Sequence, residues 1–99
     1  MLNSTMAIKL TELGATVQLV DIIDDPHNDL VDVKVTTKDN TDHYGTLQTL
    51  SNLQNEIEKD GFSYGDFRIV LKKLDETSIK TAISQIIKND SLKVAFTTD

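Results

Sequence analysis

Cysteine and tryptophan are absent from this 99-residue chain, proline occurs once and glycine four times. Without cysteine there is no disulfide framework, no thiolate zinc site and no thiol nucleophile, which fits a reducing compartment. Aromatic residues are scarce, three phenylalanines and two tyrosines, so a platform for stacking nucleic-acid bases is not expected. Bases are outnumbered by acids, 10 to 16, giving a net charge of −6, the wrong sign for neutralising phosphates. No apolar run approaches the roughly 20 residues needed to span a bilayer. The start, "MLNSTMAIKL", lacks a basic segment followed by a long apolar core, so no secretory signal is read and the cytoplasm is the expected location.

What remains is the composition of an ordinary globular domain, 38% hydrophobic and 26% charged, with room for one core across residues 1–99. The charge is uneven. Residues 1–60 carry 11 acids against four lysines, whereas residues 61–99 carry five acids against six bases. The acids concentrate in the 21–42 region, above all in "IIDDPHNDLVD", residues 22–32.

That stretch is tested first for metal binding. A calcium loop of the EF-hand kind needs a mid-loop glycine and a terminal glutamate, and neither is present. His27 has no second histidine nearby, the other being His43 beyond the next turn. No metal and no cofactor is expected. Two readings stay open: a plain turn, since Pro-His-Asn-Asp is turn chemistry, or an acidic docking surface.

Periodicity outlines the fold. "LDETSIKTAISQIIKND" places Ile79, Ala82, Ile83, Ile86 and Ile87 on one helical stripe, with Asp75 as N-cap and Asn89–Asp90 as terminator. Strands are expected on either side, in "DFRIVLKK" and "LKVAFTT", parallel to each other through the helix crossover. A second helix lies in "TLQTLSNLQNEIEKDG", with Leu47, Leu50, Leu53 and Ile57 as its stripe. Gly61 would be its left-handed terminator, and its start is either a Ser51–Gln54 capping box or Thr46. Upstream, "VDVKVTT", the turn "KDNT" and "DHYGTL" form a hairpin, preceded by the strand "ATVQLVDII". In that strand Asp21 breaks the apolar phase of Ala15, Val17 and Leu19, which predicts a bulge near residues 19–21 or burial of both faces. Residues 1–14 are ambiguous: Met6, Ile8 and Leu10 alternate as in a strand, while Ser4 and Gly14 would suit a short helix.

These elements predict an α+β two-layer sandwich, a mixed sheet of about five strands with two helices on one face. The bare face should carry Lys34, Arg68, Lys72 and Lys93 with Asp32, Thr36 and Val70.

Catalytic chemistry is not expected. Nothing orients His43 or Tyr44 as a base, and Ser51, Ser63 and Ser78 sit where capping or loop roles suffice. "GFSYGD" follows a helix and opens a strand, the reverse of a phosphate loop. Phe62 is expected to close the end of the core, and Tyr64, beside it in a glycine-flanked loop, to be an exposed anchor.

Two functions are then compatible. Small, acidic, cysteine-free α+β domains without catalytic residues look like immunity and inhibitor-type proteins. The stretch "FRIVLKKLDETSIKTAISQII" is similar in rhythm to the strand–helix end of some small immunity families, over about a fifth of the chain. The resemblance implies a non-enzymatic module docking a protein with a basic surface, through Asp21, Asp24, Asp25, Asp29, Asp39 and Asp42, with Tyr64 adding an apolar contact. The alternative is a structural, self-associating domain, a homodimer formed through a sheet edge or the open face at Val70 and Ala95.

Overall fold

Alternating apolar residues at the start of the chain make a half-buried strand. In the computed structural model, which describes residues 7–65 and 67–98, Ile8 and Leu10 are buried on one side of β1 (Ala7–Leu10) while Ala7 and Lys9 face solvent. A single 3₁₀ turn, Thr11–Leu13, follows and ends at Gly14. The N-terminal segment is therefore a strand and then a short helical turn; Ser4 and Met6 lie outside the described residues.

Strand β2 (Ala15–Leu19) buries Ala15, Val17 and Leu19. It neither bulges nor is buried on both faces; it stops at Leu19, after which the Val20 amide adds one ladder-like bond to the Asp32 carbonyl at 2.9 Å. Strand β3 (Leu30–Thr36) and strand β4 (Asp42–Thr49) form the expected hairpin. Its turn closes through the Asn40 amide to the Thr37 carbonyl at 2.9 Å, with Asn40 left-handed. The antiparallel register pairs Val17 with Val35, Val33 with Gly45 and Val31 with Leu47, so one face of the meander is apolar.

Helix α1 (Leu50–Asp60) starts at neither expected position. Thr49 is the N-cap, its hydroxyl oxygen accepting from the Asn52 amide at 3.2 Å, and Leu47 belongs to β4. Gly61 does end the helix, left-handed at φ 87°, its amide donating to the Ile57 carbonyl at 2.7 Å. Strand β5 (Arg68–Leu71) then pairs with β4 in parallel, Leu47 beside Ile69 and Gln48 beside Val70. The parallel crossover is thus β4–α1–β5.

Helix α2 (Glu76–Lys88) matches the sequence stripe. The Asp75 carboxylate accepts from the Ser78 amide at 2.8 Å, and Ile79 and Ile83 are fully buried against the sheet. Each buried isoleucine contributes about 1.5–3 kcal/mol.

The C-terminal segment departs from expectation. Residues 92–98 are not a strand parallel to β5: Leu92–Ala95 is a short helix, α3, and only Thr97–Thr98, β6, pairs, antiparallel, with His43 and Tyr44 of β4. Leu92 and Phe96 are one helical turn apart and both buried, and the Phe96 ring occupies the space over Gly45. Lys93 belongs to α3 and Ala95 packs half-buried against the core, so neither stands on an outer strand face.

Among the described residues the sheet runs β1-β2-β3-β4-β5, with β6 added on β4. It is the mixed sheet with two packed helices expected of an α+β fold. The helices divide their roles. Helix α2 seals the apolar face, whereas α1 is pinned to Gln48, which by strand alternation points away from Leu47. Placing both helices on one face rested on counting Leu47 in the stripe of α1. Of the rest of that stripe Leu50 and Ile57 are exposed and Leu53 is half-buried, and the side of α1 toward Gln48 carries Asn52 and Glu56. Gln48 Nε2 donates to Asn52 Oδ1 at 2.9 Å and Glu56 Oε1 at 2.8 Å. Ser63 Oγ donates to Glu56 Oε2 at 2.6 Å and accepts from Arg68 Nη1 at 2.9 Å. These bonds, the Ser63 hydroxyl first, then Gln48, and the charge of Arg68, hold the Glu56 carboxyl below its ordinary range.

Candidate functional site

The segment between β2 and β3 is a turn, and an ordered one. Asp29 organises it from within. Its Oδ2 accepts from the Asp24 amide at 2.9 Å and, more weakly, from the Asp25 amide at 3.4 Å; its Oδ1 accepts from the Leu30 amide at 2.8 Å. Asp25 makes a local turn of its own, its carboxylate accepting from the His27 amide and its carbonyl from the Asn28 amide, both at 3.0 Å.

Two further bonds dock the loop on the body of the protein. The Thr49 amide donates to the Asp29 carbonyl at 3.0 Å, while the Asp29 amide donates back to the Thr49 hydroxyl at 3.1 Å. The Leu74 amide, just ahead of α2, donates to the Pro26 carbonyl at 2.7 Å. Thr49 is fully buried, so one side chain caps α1 and anchors the acidic loop at once.

On this fixed backbone the outward side chains alternate in chemistry. Asp21, Asp24 and Asp25 are exposed, and between and beside them stand Val20 at 53% exposure, Ile22 at 61% and Leu30 at 42%. Among the described residues the ion pairs are Lys73–Asp75 at 3.2 Å and Lys80–Glu76 at 3.7 Å, so none of these loop carboxylates is neutralised by a neighbouring base. Asp32, next along β3, is also exposed and accepts from the Thr46 hydroxyl at 2.9 Å.

The expected site residues do not form one surface. Asp21, Asp24, Asp25 and Asp29 gather at the end of the sheet where β3 begins. Asp39 and Asp42 lie beyond its other end, separated by the seven residues of β3, roughly 20 Å of strand. Both are absorbed locally. Asp42 accepts from the Thr36 hydroxyl at 2.7 Å, and Asp39 accepts from the Thr37 hydroxyl and, at 3.2 Å, the Thr41 amide, which keeps its carboxyl below the ordinary range.

Tyr64 is 82% exposed in the α1–β5 connection and stacks on Phe62, ring centroids 5.9 Å apart. Phe62 is itself 61% exposed, so it does not close the core; its stacking partner is in the same loop. His43 is buried on the core side of β4 and Tyr44 points to the other face, so the two do not converge. Ser63 serves the Glu56–Arg68 network. Among the described residues no three histidine, aspartate or glutamate side chains gather as metal ligands, and no helix is long and apolar enough to cross a membrane.

The exposed Val20, Ile22 and Leu30 escaped the sequence reading. Their signal was present in the broken alternation at Asp21, which marked the end of a strand and not a bulge within it. Comparison with family models, with curated proteins and with solved structures finds no match to this chain.

Proposed function

We propose that this chain is a non-enzymatic, cytoplasmic protein-binding module of the immunity or inhibitor kind, docking a partner with a basic surface through residues 20–32. The observation that carries the proposal is the interleaving of exposed Val20, Ile22 and Leu30 with Asp21, Asp24 and Asp25, which make no ion pair among the described residues, on a loop tied down by Asp29, Thr49 and Pro26. An apolar centre with a charged rim is the anatomy of an interface. Fixing the loop before encounter reduces the ordering cost of binding, and uncompensated carboxylates steer a cationic partner toward it. Asp39 and Asp42 fall outside this surface, and Tyr64 is a separate exposed contact.

The test is capture from host lysate at low and high salt, comparing the parent chain with Asp24→Lys/Asp25→Lys and Ile22→Ser. A basic protein should be captured at low salt and lost at high salt. With that protein purified, charge reversal should slow association at least about tenfold. Ile22→Ser should mainly speed dissociation. Unchanged association by the charge-reversed chain would remove this loop as the docking surface.

One observation favours self-association as a second reading: Val70 stands 43% exposed on β5, a strand with one neighbour in the sheet among the described residues. A concentration-dependent mass that Val70→Lys abolishes would support it, and a monomer at high concentration would reject it.

A further inference from the structure

At the end of the sheet opposite the acidic loop, a cavity of about 550 Å³ opens between the β3–β4 turn and the C-terminal end of α2. This volume lies within the range of small-molecule sites. Its walls are apolar where the core comes to the surface, at Ala15, Ile87 and Leu92. Buried His43 adds a polar group to the wall, brought there by its pairing opposite Val35 on the core side of the hairpin.

Charged residues stand at the mouth. Lys38 comes from the hairpin turn with its stem laid over Gly14, Lys38 Cγ lying 3.2 Å from where a Cβ on that glycine would be. Asp39 comes from the same turn and Asp90 from the residue pair that ends α2. Asp90 makes no side-chain hydrogen bond or ion pair among the described residues, and it holds a left-handed backbone, φ 55°, that favours glycine. Among the described residues the mouth therefore offers two exposed carboxylates against one ammonium, in front of an apolar chamber.

We propose that this cavity binds a small organic amine, its apolar body among Ala15, Ile87 and Leu92 and its ammonium group at the mouth beside Asp90. An anionic ligand of the same size would meet repulsion from two carboxylates. A neutral one would gain the apolar contacts alone.

Three probes of one shape and different charge test this: benzylamine, benzyl alcohol and benzoate, titrated into the ¹⁵N-labelled full chain and followed by amide shifts. Benzylamine should give saturable shifts at Ala15, Thr37, His43 and Leu92 and bind roughly twofold to fivefold tighter than benzyl alcohol, the gain of one exposed ion pair, with benzoate weakest. Asp90→Asn should abolish the preference for the amine while leaving the alcohol unchanged. Ala15→Leu fills the chamber and should block all three probes, and Ala15→Val, a smaller filling, should weaken them if the leucine variant does not fold. Absence of saturable shifts with every probe would overturn the proposal, as would binding untouched by the filling variants. Benzoate binding as tightly as benzylamine would overturn the assignment of the ligand's charge.

Discussion

Gly45→Ala is the substitution that most directly tests how the last residues of the chain are packed. Gly45 lies in the middle of β4, opposite Val33 on the core face, and the Phe96 ring fills the space its missing side chain leaves. A Cβ at this position would stand 2.2 Å from Phe96 Cδ1, 2.5 Å from Phe96 Cε1 and 2.8 Å from the Phe67 carbonyl oxygen. Carbon atoms pack at about 3.5–4.0 Å, so the ring must move by more than an ångström, and Phe96 is fully buried. Overpacking of this kind costs about 1–3 kcal/mol, and the backbone oxygen on the second side puts the cost at the upper end. Alanine recovers roughly 0.5–1 kcal/mol through its lower chain entropy, leaving a net loss of about 2 kcal/mol. Urea unfolding followed by far-UV circular dichroism reads this as a fall in midpoint of about 1–2 M. Phe96→Leu should be costly alone and much less costly beside Gly45→Ala, a coupling of about 1 kcal/mol or more, with the Phe67 oxygen keeping the rescue partial. A Gly45→Ala protein within 0.5 kcal/mol of the parent, the usual scatter of innocuous substitutions, would refute this packing, as would strict additivity in the double variant.

Thr49→Val keeps the shape but removes the oxygen that accepts from both Asn52 and Asp29 amides, and should cost about 2 kcal/mol against less than about 1 for Thr49→Ser, with faster amide exchange at Asp24 and Leu30. The Asp75 carboxyl, lowered to about 2 by the Ser78 hydroxyl and amide and then by Lys73, stabilises the fold fully above its ordinary value of 3.8 and loses that contribution as pH falls through 2. Asp75→Asn, which can still cap α2, should therefore flatten the acid limb of an unfolding curve between about pH 4 and 2. Asp90→Gly should raise stability by about 0.5–1 kcal/mol in the same urea assay, because the left-handed position then carries no Cβ.

Much of the fold could be read from periodicity, and the failures have physical causes. Val31, Val33 and Val35 alternate over a full strand, and Ile79, Ile83 and Ile86 recur over two turns, patterns long enough to admit one period only. "LKVAFTT" is short, and Leu92 with Phe96 satisfies a strand's alternation and a helical turn equally; contact with Gly45, about 50 residues away, selects the turn. Leu47 reads as part of α1 because a leucine three residues before a helix extends its stripe whether or not the backbone is helical there. The acids were legible as acids but not as a group. Their separation depends on β3 lying between Asp29 and Asp39, so the candidate surface shrinks to residues 20–32 once the hairpin is built.

Solubility alone explains exposed aspartates, but it does not explain Val20 and Ile22 beside them. Exposed apolar side chains in a loop work against solubility, and this loop has nearby core into which Ile23 alone is partly taken. Three of the chain's bases are engaged elsewhere. Arg68 is drawn into the Glu56–Ser63 network, and Lys73 and Lys80 are paired with Asp75 and Glu76 at the start of α2. The carboxylates of Asp21, Asp24 and Asp25 thus project a field that no ion pair among the described residues answers, around two apolar side chains held outward by a hydrogen-bonded backbone. A cationic protein surface with a shallow apolar centre would satisfy both features together, which is why charge reversal and Ile22→Ser should act on different rate constants of the proposed complex.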